Sequence, residues 1–317
     1  MQAGIHQHVS MRDYHELPAV NSRLVRTIVE RCPAAAWFES WQNSGREREQ
    51  TNGAMDAGTI AHAILLEGSC DRVAVIDPHD HPAKTTGAIP DGWTNQSIRA
   101  ARDAAYSSGK IPILKSAFAE VEAMVDAARM FIETIRDDEP AIWRAFQADG
   151  GESETTLIWD DEGIICRARP DRITLDRKLI VDYKTGEGTA EPATWGRTQM
   201  IRMGYYTAAA FYRRGVKRLC KVEPDYVFLV QESSAPYLCS LVGVDPQGFA
   251  IGGAKVDYGL KLWRRCARIN EWPAYPSRVC YPEIPAWEVA RWEATEAVGF
   301  PYDPAVLFGT ARETDPV

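Results

Sequence analysis

The stretch CRARPDRITLDRKLIVDYKTG, residues 166–186, decides the fold that this sequence predicts. Apolar and polar residues alternate along both of its halves, which is typical of β-strands. The polar pair Asp176-Arg177 between the halves indicates a turn. The stretch therefore predicts a hairpin, with one strand over 164–175 and a second over 179–183.

Alternation also predicts which side chains of the hairpin share a face. Arg167, Arg169 and Asp171 fall on one face of the first strand, and Asp182 and Lys184 share a face of the second. A two-residue or four-residue turn puts Asp171 directly opposite Asp182, with Cβ atoms about 4.5–5.5 Å apart. A three-residue loop with a bulge would shift this register.

Two opposed carboxylates suggest a metal site. Like charges directly opposite each other destabilise a sheet, and a divalent cation between them reverses that effect. Magnesium is usually held by one or two carboxylates with water and phosphate oxygens. Lys184 points at the same volume, where it could orient or deprotonate an attacking water or neutralise charge on a phosphate. The alternative is a surface charge pair at a strand end, because short motifs often match by chance.

Two further residues are candidates for the same site. In GTIAHAILLEG, residues 58–68, His62 lies one helical turn after Gly58. Glycine inside a helix costs up to about 1 kcal/mol relative to alanine, which the close approach of another backbone or a ligand would explain. The alternative is a histidine packed beside leucines. Glu154 begins a predicted strand, and a solvated strand end explains it equally well.

The rest of the chain predicts an α/β fold with a mixed sheet and an N-terminal helical elaboration. We expect a loosely structured leader over 1–20, a single domain over 21–300 and a tail over 301–317. Within the domain we expect a helical part over 21–145, a sheet core over 150–245, and a C-terminal helix with a Trp/Pro-rich segment over 246–300. The predicted helices span 21–41, 56–67, 118–135, 199–214 and 253–269; the further strands span 155–160, 226–231 and 237–244; a mobile loop with Lys84 spans 78–98.

Composition limits the functional classes. The net charge is −8, with 36 basic and 44 acidic residues, which argues against a protein that coats DNA but not against a local basic groove. No apolar run reaches the roughly 18 residues of a membrane span, and the first thirty residues contain no apolar signal core, so we expect a cytoplasmic protein without membrane contact. Seven cysteines are scattered singly, and Cys239, Cys266 and Cys280 are too widely spread to predict an iron–sulfur cluster.

Together these motifs resemble the RecB-type branch of the PD-(D/E)xK nucleases, and most closely the RecE-type (exodeoxyribonuclease VIII-like) exonucleases of phages and prophages. The resemblance covers about residues 20–290. The family glutamine that precedes Tyr212 would fall at Ala208, and Gln199 is not an obvious substitute. The matching motifs are Gly58 to His62, Glu154, Arg169-Pro170-Asp171, Asp182-Tyr183-Lys184 and, in part, Tyr205 to Tyr212.

The resemblance implies roles for these residues. His62, Asp171 and Asp182 would bind the metal together with the backbone carbonyl of Tyr183. Lys184 would be the catalytic lysine, with Asp182, Asp171 and the supporting carboxylate Glu154 completing the catalytic set. The metal would be Mg²⁺, with Mn²⁺ able to substitute. Neutralising either aspartate should abolish cleavage and leave the metal-free fold unharmed or slightly stabilised.

The fold implied by the resemblance is restriction-endonuclease-like, and the activity is digestion of one strand of linear double-stranded DNA from 5′ to 3′. The products would be mononucleotides and a 3′ single-stranded tail for recombination. The implied partners are double-stranded DNA ends, a single-strand annealing protein and further copies of the chain in a trimeric or tetrameric ring. Candidate DNA contacts are Arg167, Arg169, Tyr205, Tyr212 and Lys84.

Two alternatives remain open at this point. One is a PD-(D/E)xK endonuclease or a nuclease that prefers single strands. The other is a catalytically weak DNA- or protein-binding module on the same fold. Ala208 favours the module, whereas the intact Asp171, Asp182 and Lys184 argue against it.

Overall fold

The computed structural model of the chain describes residues 1–43 and 53–299, with side chains from residue 57 onward in the second range. The chain divides into two compact units, Met1–Ala274 and Tyr275–Val317. The predicted single domain over 21–300 is therefore divided at Tyr275, and the predicted tail over 301–317 lies outside the described residues. Within the described part, every helix is too short or too polar to cross a membrane.

The described helices and strands follow one another from the N-terminus as follows. They are β1 Gly4–His6, α1 Met11–Glu16, α2 Ser22–Glu30, α3 Pro33–Glu39, α4 Gly53–His62 with a π-helical turn Ala63–Glu67, β2 Val73–Ile76, a 3₁₀ turn Pro78–Asp80, α5 Gln96–Ser107, β3 Ile111–Leu114, α6 Lys115–Thr134, α7 Pro140–Phe146, β4 Gly151–Ser153, β5 Thr156–Asp161, β6 Ile164–Ala168, β7 Arg172–Thr174, β8 Leu179–Gly186, α8 Pro192–Trp195 with a π-helical turn Gly196–Met200, α9 Tyr205–Cys220, β9 Asp225–Glu232, β10 Cys239–Gly243, α10 Pro246–Ile269 and α11 Ala286–Val298.

The central sheet of the first unit has the strand order β10-β9-β8-β7-β4. β8 pairs with β9 in parallel and the other neighbours are antiparallel, so the sheet is mixed. A hydrophobic cluster formed with α2, α9 and α10 includes Ile180 and Phe228 of the sheet. A second cluster, formed with α4 and α6, includes Val181 and Leu229. Helices thus cover both faces, and the predicted α/β class with a mixed sheet is confirmed.

The register of the hairpin is the predicted one. Arg172 lies opposite Val181 and Ile173 opposite Ile180, across a four-residue loop over 175–178. The predicted alternation of β8 is also present, because Ile180 packs in one core cluster while Val181 and Tyr183 pack in the other. Asp171 and Asp182 directly follow the last main-chain pair of this ladder.

The predicted continuous strand over 164–175 is wrong. The chain breaks at Pro170, so β6 pairs with β5 in a three-stranded sheet while β7 belongs to the five-stranded sheet. Proline has no N–H to donate to a ladder and a fixed φ, which favours a strand end at this point. Arg167 and Arg169 consequently do not share one strand face with Asp171.

The N-terminal leader is ordered, contrary to the predicted loose structure over 1–20. β1 pairs with β5, with Gly4 opposite Ile158. The guanidinium group of Arg167 donates hydrogen bonds to the carbonyls of Tyr14 and Leu17, the latter at 2.6 Å. The leader is ordered because its carbonyls accept hydrogen bonds from a buried arginine. The sequence did not predict this order, because the leader has no apolar periodicity.

Two predicted helices are interrupted. The segment over 21–41 begins at its predicted N-cap, where Asn21 Oδ1 accepts from the Leu24 amide at 2.9 Å, but Pro33 starts a new helix. The segment over 199–214 breaks at Gly204, whose φ of 65° is left-handed. An ideal Cβ at Gly204 would lie 2.6 Å from Cδ of Arg26, so only glycine fits this turn.

Two neighbouring glycines of α10 give a matched test of the packing between α9 and α10. A Cβ at Gly252 would lie 2.6 Å from the carbonyl oxygen of Tyr206, whereas a Cβ at Gly253 would meet nothing within 4 Å. We predict that Gly252→Ala lowers the free energy of unfolding by about 1–3 kcal/mol through overpacking. Gly253→Ala should raise it by up to about 1 kcal/mol, because alanine is the better helix former. Urea denaturation measures both, and equal effects would contradict this packing.

Candidate active site

The carboxylate of Asp171 lies at the centre of the site. Asp171 follows Pro170 at the point where the first half of the hairpin changes sheet. Its Oδ2 accepts a hydrogen bond from the Tyr183 amide of β8 at 2.8 Å, and its carbonyl accepts from the Glu154 amide at 3.2 Å. The side chain thus continues the β7–β8 pairing beyond the main-chain ladder, and its position is fixed by the backbone.

Lys184 lies between the two aspartates. Its Nζ is 2.5 Å from Asp182 Oδ2 and 3.8 Å from Asp171 Oδ2. The Asp182 side chain is only 8% exposed and that of Asp171 13% exposed. A partly buried ammonium between two carboxylates reduces their mutual repulsion. The predicted convergence of Asp171, Asp182 and Lys184 is present in the structure.

His62 reaches the same carboxylate from the last turn of α4. Its Nε2 is 3.0 Å from Asp171 Oδ2 and its Nδ1 is 3.5 Å from Glu154 Oε1. The ring stacks on Tyr183 with centroids 6.2 Å apart. A Cβ at Gly58 would lie 3.0 Å from Thr185 Oγ1, so the close approach that the glycine predicted comes from a β8 side chain.

Glu154 adopts a left-handed backbone conformation, with φ of 53°. This conformation is costly for a residue with a Cβ and persists only where its surroundings enforce it. Its amide is held by the Asp171 carbonyl at 3.2 Å. Its Oε2 lies 3.9 Å from Nη1 of the buried Arg169. The turn therefore aims the Glu154 carboxylate at His62 and Asp171 rather than at solvent.

The donor set of this cluster fits a divalent cation. His62, Glu154 and Asp171 offer ligand atoms that all lie within 4.8 Å of one another, the only such group of three among the described residues. Imidazole nitrogen with carboxylate oxygen is a donor combination that suits divalent first-row metals, and carboxylates alone suit Mg²⁺. Asp182 and the Tyr183 carbonyl, the other predicted ligands, stay predictions.

Burial and charge shift the pKa values of these groups in opposite directions. Burial raises the pKa of Asp171, but Lys184 and His62 lower it more, so it lies below its usual range. Burial and the Asp171 charge raise the pKa of Asp182 and bring that of Glu154 to about 7. Burial lowers the pKa of His62, but Asp171 outweighs it and raises the pKa to about 9. The site therefore carries excess negative charge that protons or a cation offset.

The two aspartates should respond differently to neutralisation. The pKa of Asp171 is lowered on folding, so its carboxylate stabilises the fold above its unfolded pKa and this contribution is lost on acidification. We predict that Asp171→Asn destabilises the metal-free protein by about 1–3 kcal/mol. The pKa of Asp182 is raised, so its charge costs stability at neutral pH and Asp182→Asn should be neutral or stabilising.

Denaturation of both variants in EDTA measures this difference. The sequence alone predicted the same outcome for both positions, and the structure separates them because only Asp171 accepts a backbone hydrogen bond. Equal stability of the two variants would contradict the arrangement.

Metal binding should release protons. A metal ligand must be deprotonated, whereas the metal-free His62 and Glu154 have pKa values of about 9 and about 7. We predict that Mn²⁺ affinity rises with pH through this interval. Calorimetric titration in buffers of different ionisation enthalpy counts the protons released. His62→Ala should lower both affinity and proton release, while the exposed His79→Ala serves as control. Unchanged binding by His62→Ala would refute its role as a ligand.

The predicted DNA contacts lie in different environments. Arg169 is buried; its guanidinium group donates to Thr156 Oγ1 at 2.8 Å and the Val9 carbonyl at 2.7 Å. Arg167 is also buried, against the leader. These positions do not fit the predicted lining of a DNA groove, because both guanidinium groups are committed to the protein. Lys84 is exposed between the 3₁₀ turn and α5.

Tyrosines cover the α9 side of the site. The Tyr205 ring centroid lies 5.5 Å from Lys184 Nζ. Tyr212 packs edge-on against Tyr226, with centroids 6.2 Å apart. Sequence reasoning missed Tyr226. Burial and the nearby charge of Asp182, to which it hydrogen-bonds, raise its pKa well above the usual value. In the structure it lies opposite Ile180 in the β8–β9 ladder.

A cavity of about 490 Å³ opens next to Glu154. Residues 7–11 of the leader line it, together with Glu67 and Glu152. Arg169 and Arg172 also line it, but Arg172 donates to the Ala145 carbonyl at 2.6 Å. Apart from the exposed Arg72, the charged groups of this cavity are thus mainly acidic or already hydrogen-bonded.

The sequence profile of one protein family matches residues 25–282, a range that includes His62, Glu154, Asp171, Asp182 and Lys184. The family is described as a PDDEXK-like domain of unknown function (DUF3799). This chain belongs to that family. The restriction-endonuclease-like α/β fold and the PD-(D/E)xK superfamily expected from the sequence are therefore confirmed.

Solved structures agree with this fold. A protein described as a "Putative exonuclease" from Eubacterium rectale superposes with a TM-score of 0.54 at 12% identity, over 90% of this chain and 98% of that chain. At this identity the similarity shows the fold alone. The protein SSO0001 gives a TM-score of 0.25 at 9% identity, over 68% of this chain and 88% of that chain, and supports no argument. No curated protein matches the chain.

Proposed function

We propose that this PDDEXK-like protein is a metal-dependent nuclease, and specifically a 5′–3′ exonuclease of the RecE type on linear double-stranded DNA. The observation that carries the proposal is the convergence of Lys184 with Asp171 and Asp182, within 3.8 Å, beside His62 and Glu154. An arrangement of buried like charges is costly unless it serves a site that binds a cation.

The site residues have different proposed roles in phosphodiester hydrolysis. Asp171, His62 and Glu154 would hold the cation, for which we propose Mg²⁺, with Mn²⁺ as a substitute. When bound, a divalent metal supplies Lewis acidity toward the phosphate and a more acidic water. Burial lowers the pKa of Lys184, but Asp182 and Asp171 raise it above its usual value. Lys184 therefore acts as a fixed positive charge toward the phosphate rather than as a base, and Asp182 orients it.

The exonuclease assignment rests on the resemblance to the RecE-type branch. Gly58, His62 and the hairpin motifs occur in the order of that branch and meet in one site. The products would be mononucleotides and 3′ single-stranded tails for recombination, in the cytoplasm. Digestion from an end requires an end, whereas an endonuclease also cuts a closed circle.

Three substrates test the assignment, each with Mg²⁺: end-labelled linear duplex, the same DNA after denaturation, and covalently closed circular duplex. We expect loss of the linear substrate from its 5′ ends while the circle survives. Cleavage of the circle would support the endonuclease alternative, and a preference for denatured DNA would support a single-strand nuclease. Survival of all three substrates would refute the nuclease assignment.

Lys184→Ala should reduce turnover by about 10²-fold or more with little loss of DNA affinity, because its charge acts on the transition state. Lys178→Ala is a matched control, since Lys178 is an exposed lysine of the same hairpin. Single-turnover rates and equilibrium binding separate the two effects. Equal rates for the two variants would remove Lys184 from the proposed mechanism.

A second candidate is a catalytically weak DNA-binding module. Ala208, in place of the family glutamine, lies between Tyr205 and Tyr212 on one side of α9, three and four residues from them. These tyrosines adjoin the site. The side-chain amide of the family glutamine, which Ala208 lacks, would therefore lie close to the site. Duplex binding without Mg²⁺-dependent digestion would favour this candidate.

We also propose that copies of the chain form a trimeric or tetrameric ring around DNA and work with a single-strand annealing protein. The support is the net charge of −8, which gives little general attraction for phosphates. Enclosure by cyclic symmetry retains DNA without such attraction. Sedimentation and processivity at moderate salt test the ring, and a monomer that dissociates after a few nucleotides would refute it.

A further inference from the structure

Three cations meet where the chain enters α9. We call Arg26, Arg202 and Lys255 the basic corner. The Arg26 guanidinium donates a hydrogen bond to the Met203 carbonyl. Its Cδ would lie only 2.6 Å from a Cβ at Gly204. Arg26 is therefore packed directly on the turn that precedes Tyr205, and this turn is fixed relative to α2.

Most of the positive charge of the basic corner is not neutralised. Glu30 is shared, with Oε2 at 3.6 Å from Arg26 and Oε1 at 3.1 Å from Lys255. Arg202 is exposed and donates to the neutral Gln199 Oε1 at 2.8 Å. Within the residues that the structure describes, Arg202 forms no ion pair. Glu30 thus pairs with two of the three cations, Arg26 and Lys255.

The basic corner lies beside the reacting end of the site. Tyr205 directly follows the turn, and its ring centroid is 5.5 Å from Lys184 Nζ. Burial raises the pKa of Tyr205, while Lys184, Arg26 and Arg202 lower it. The charges of the corner and of Lys184 therefore act on the same hydroxyl, from one side of the site.

The surroundings of Glu154 are more acidic than the basic corner. The cavity beside Glu154 is also lined by Glu67 and Glu152. Two of its arginines are engaged with main-chain oxygens, at 2.7 Å from Arg169 to Val9 and 2.6 Å from Arg172 to Ala145. A polyanion approaching there would meet three carboxylates and one exposed arginine, Arg72.

We propose that the basic corner binds backbone phosphates of the nucleic-acid strand whose scissile phosphate lies at Lys184. Guanidinium groups bind phosphate oxygens through paired charge-assisted hydrogen bonds, and such contacts position a strand without reading its sequence. The inference rests on the proposed nuclease function and adds the side from which the strand enters. It also replaces the buried Arg167 and Arg169 as the arginines that contact DNA.

Two apolar side chains next to the basic corner suggest a second kind of binding partner. Ile201 is 56% exposed and Met203 is 37% exposed. Aliphatic groups among arginines pack against nucleobases or against another protein surface. The unneutralised charge favours the nucleic acid, and the protein surface becomes an outcome of the test.

The test measures equilibrium binding of a fluorescently labelled short linear duplex to the full chain, in Ca²⁺ and over a range of salt concentrations. Arg202→Ala should weaken binding about tenfold. It should also make the salt dependence shallower by roughly one unit, as expected for one lost phosphate contact. Arg268→Ala is the matched control, since it removes an exposed arginine from the last turn of α10. Its slope should equal that of the wild type, and melting temperatures establish that both variants fold.

Equal slopes for Arg202→Ala and the wild type would overturn the inference. The inference would also be overturned, in favour of a protein interface, if Ile201→Ser changed the mass measured by sedimentation while Arg202→Ala left the salt dependence of DNA binding unaltered. A wild type that binds duplex through Arg202 but does not cleave it in Mg²⁺ would support the inference and refute the proposed nuclease activity. A wild type that binds no duplex would overturn both.

Discussion

The carboxylate of Asp171 receives the Tyr183 amide at 2.8 Å, the His62 ring at 3.0 Å and the Lys184 ammonium at 3.8 Å. These three groups come from the central strand and from a helix on its face, so one anion ties two layers of the fold together. Its charge also raises the pKa values of its neighbours Asp182 and Glu154. The electrostatics of the site follow from placing this carboxylate where the backbone fixes it.

The position of Asp171 depends on the chain break at Pro170. Because the strand changes sheet there, the segment before it faces the N-terminal leader and the segment after it faces the site. Arg169 bridges the two environments, since it is bonded to Val9 and lies 3.9 Å from Glu154. The leader therefore supports the site indirectly, through a buried guanidinium group and the strained turn at Glu154.

An acidic protein can still present a cationic surface where it is needed. The net charge of −8 is spread over the chain, whereas in the basic corner Arg26 and Lys255 share the carboxylate of Glu30 and Arg202 bonds the neutral Gln199. Electrostatic attraction in salt solution acts over about one Debye length, roughly 8–10 Å. Local arrangement at the mouth of the site therefore matters more for a strand than the total charge of the molecule.

The sequence by itself determined the hairpin, its register and the meeting of Asp171, Asp182 and Lys184, because strand alternation and turn length are local rules. It also identified His62 and Glu154 through the resemblance, and Gly58 through its helix position. Only the tertiary structure showed that Arg167 and Arg169 are buried, that the leader is ordered and that Tyr226 bonds Asp182. Those facts depend on which distant segment of the chain supplies a hydrogen-bond partner to each buried polar group. Partners such as Arg167 and Tyr14 are more than 100 residues apart, and such pairs leave no periodic pattern in a sequence.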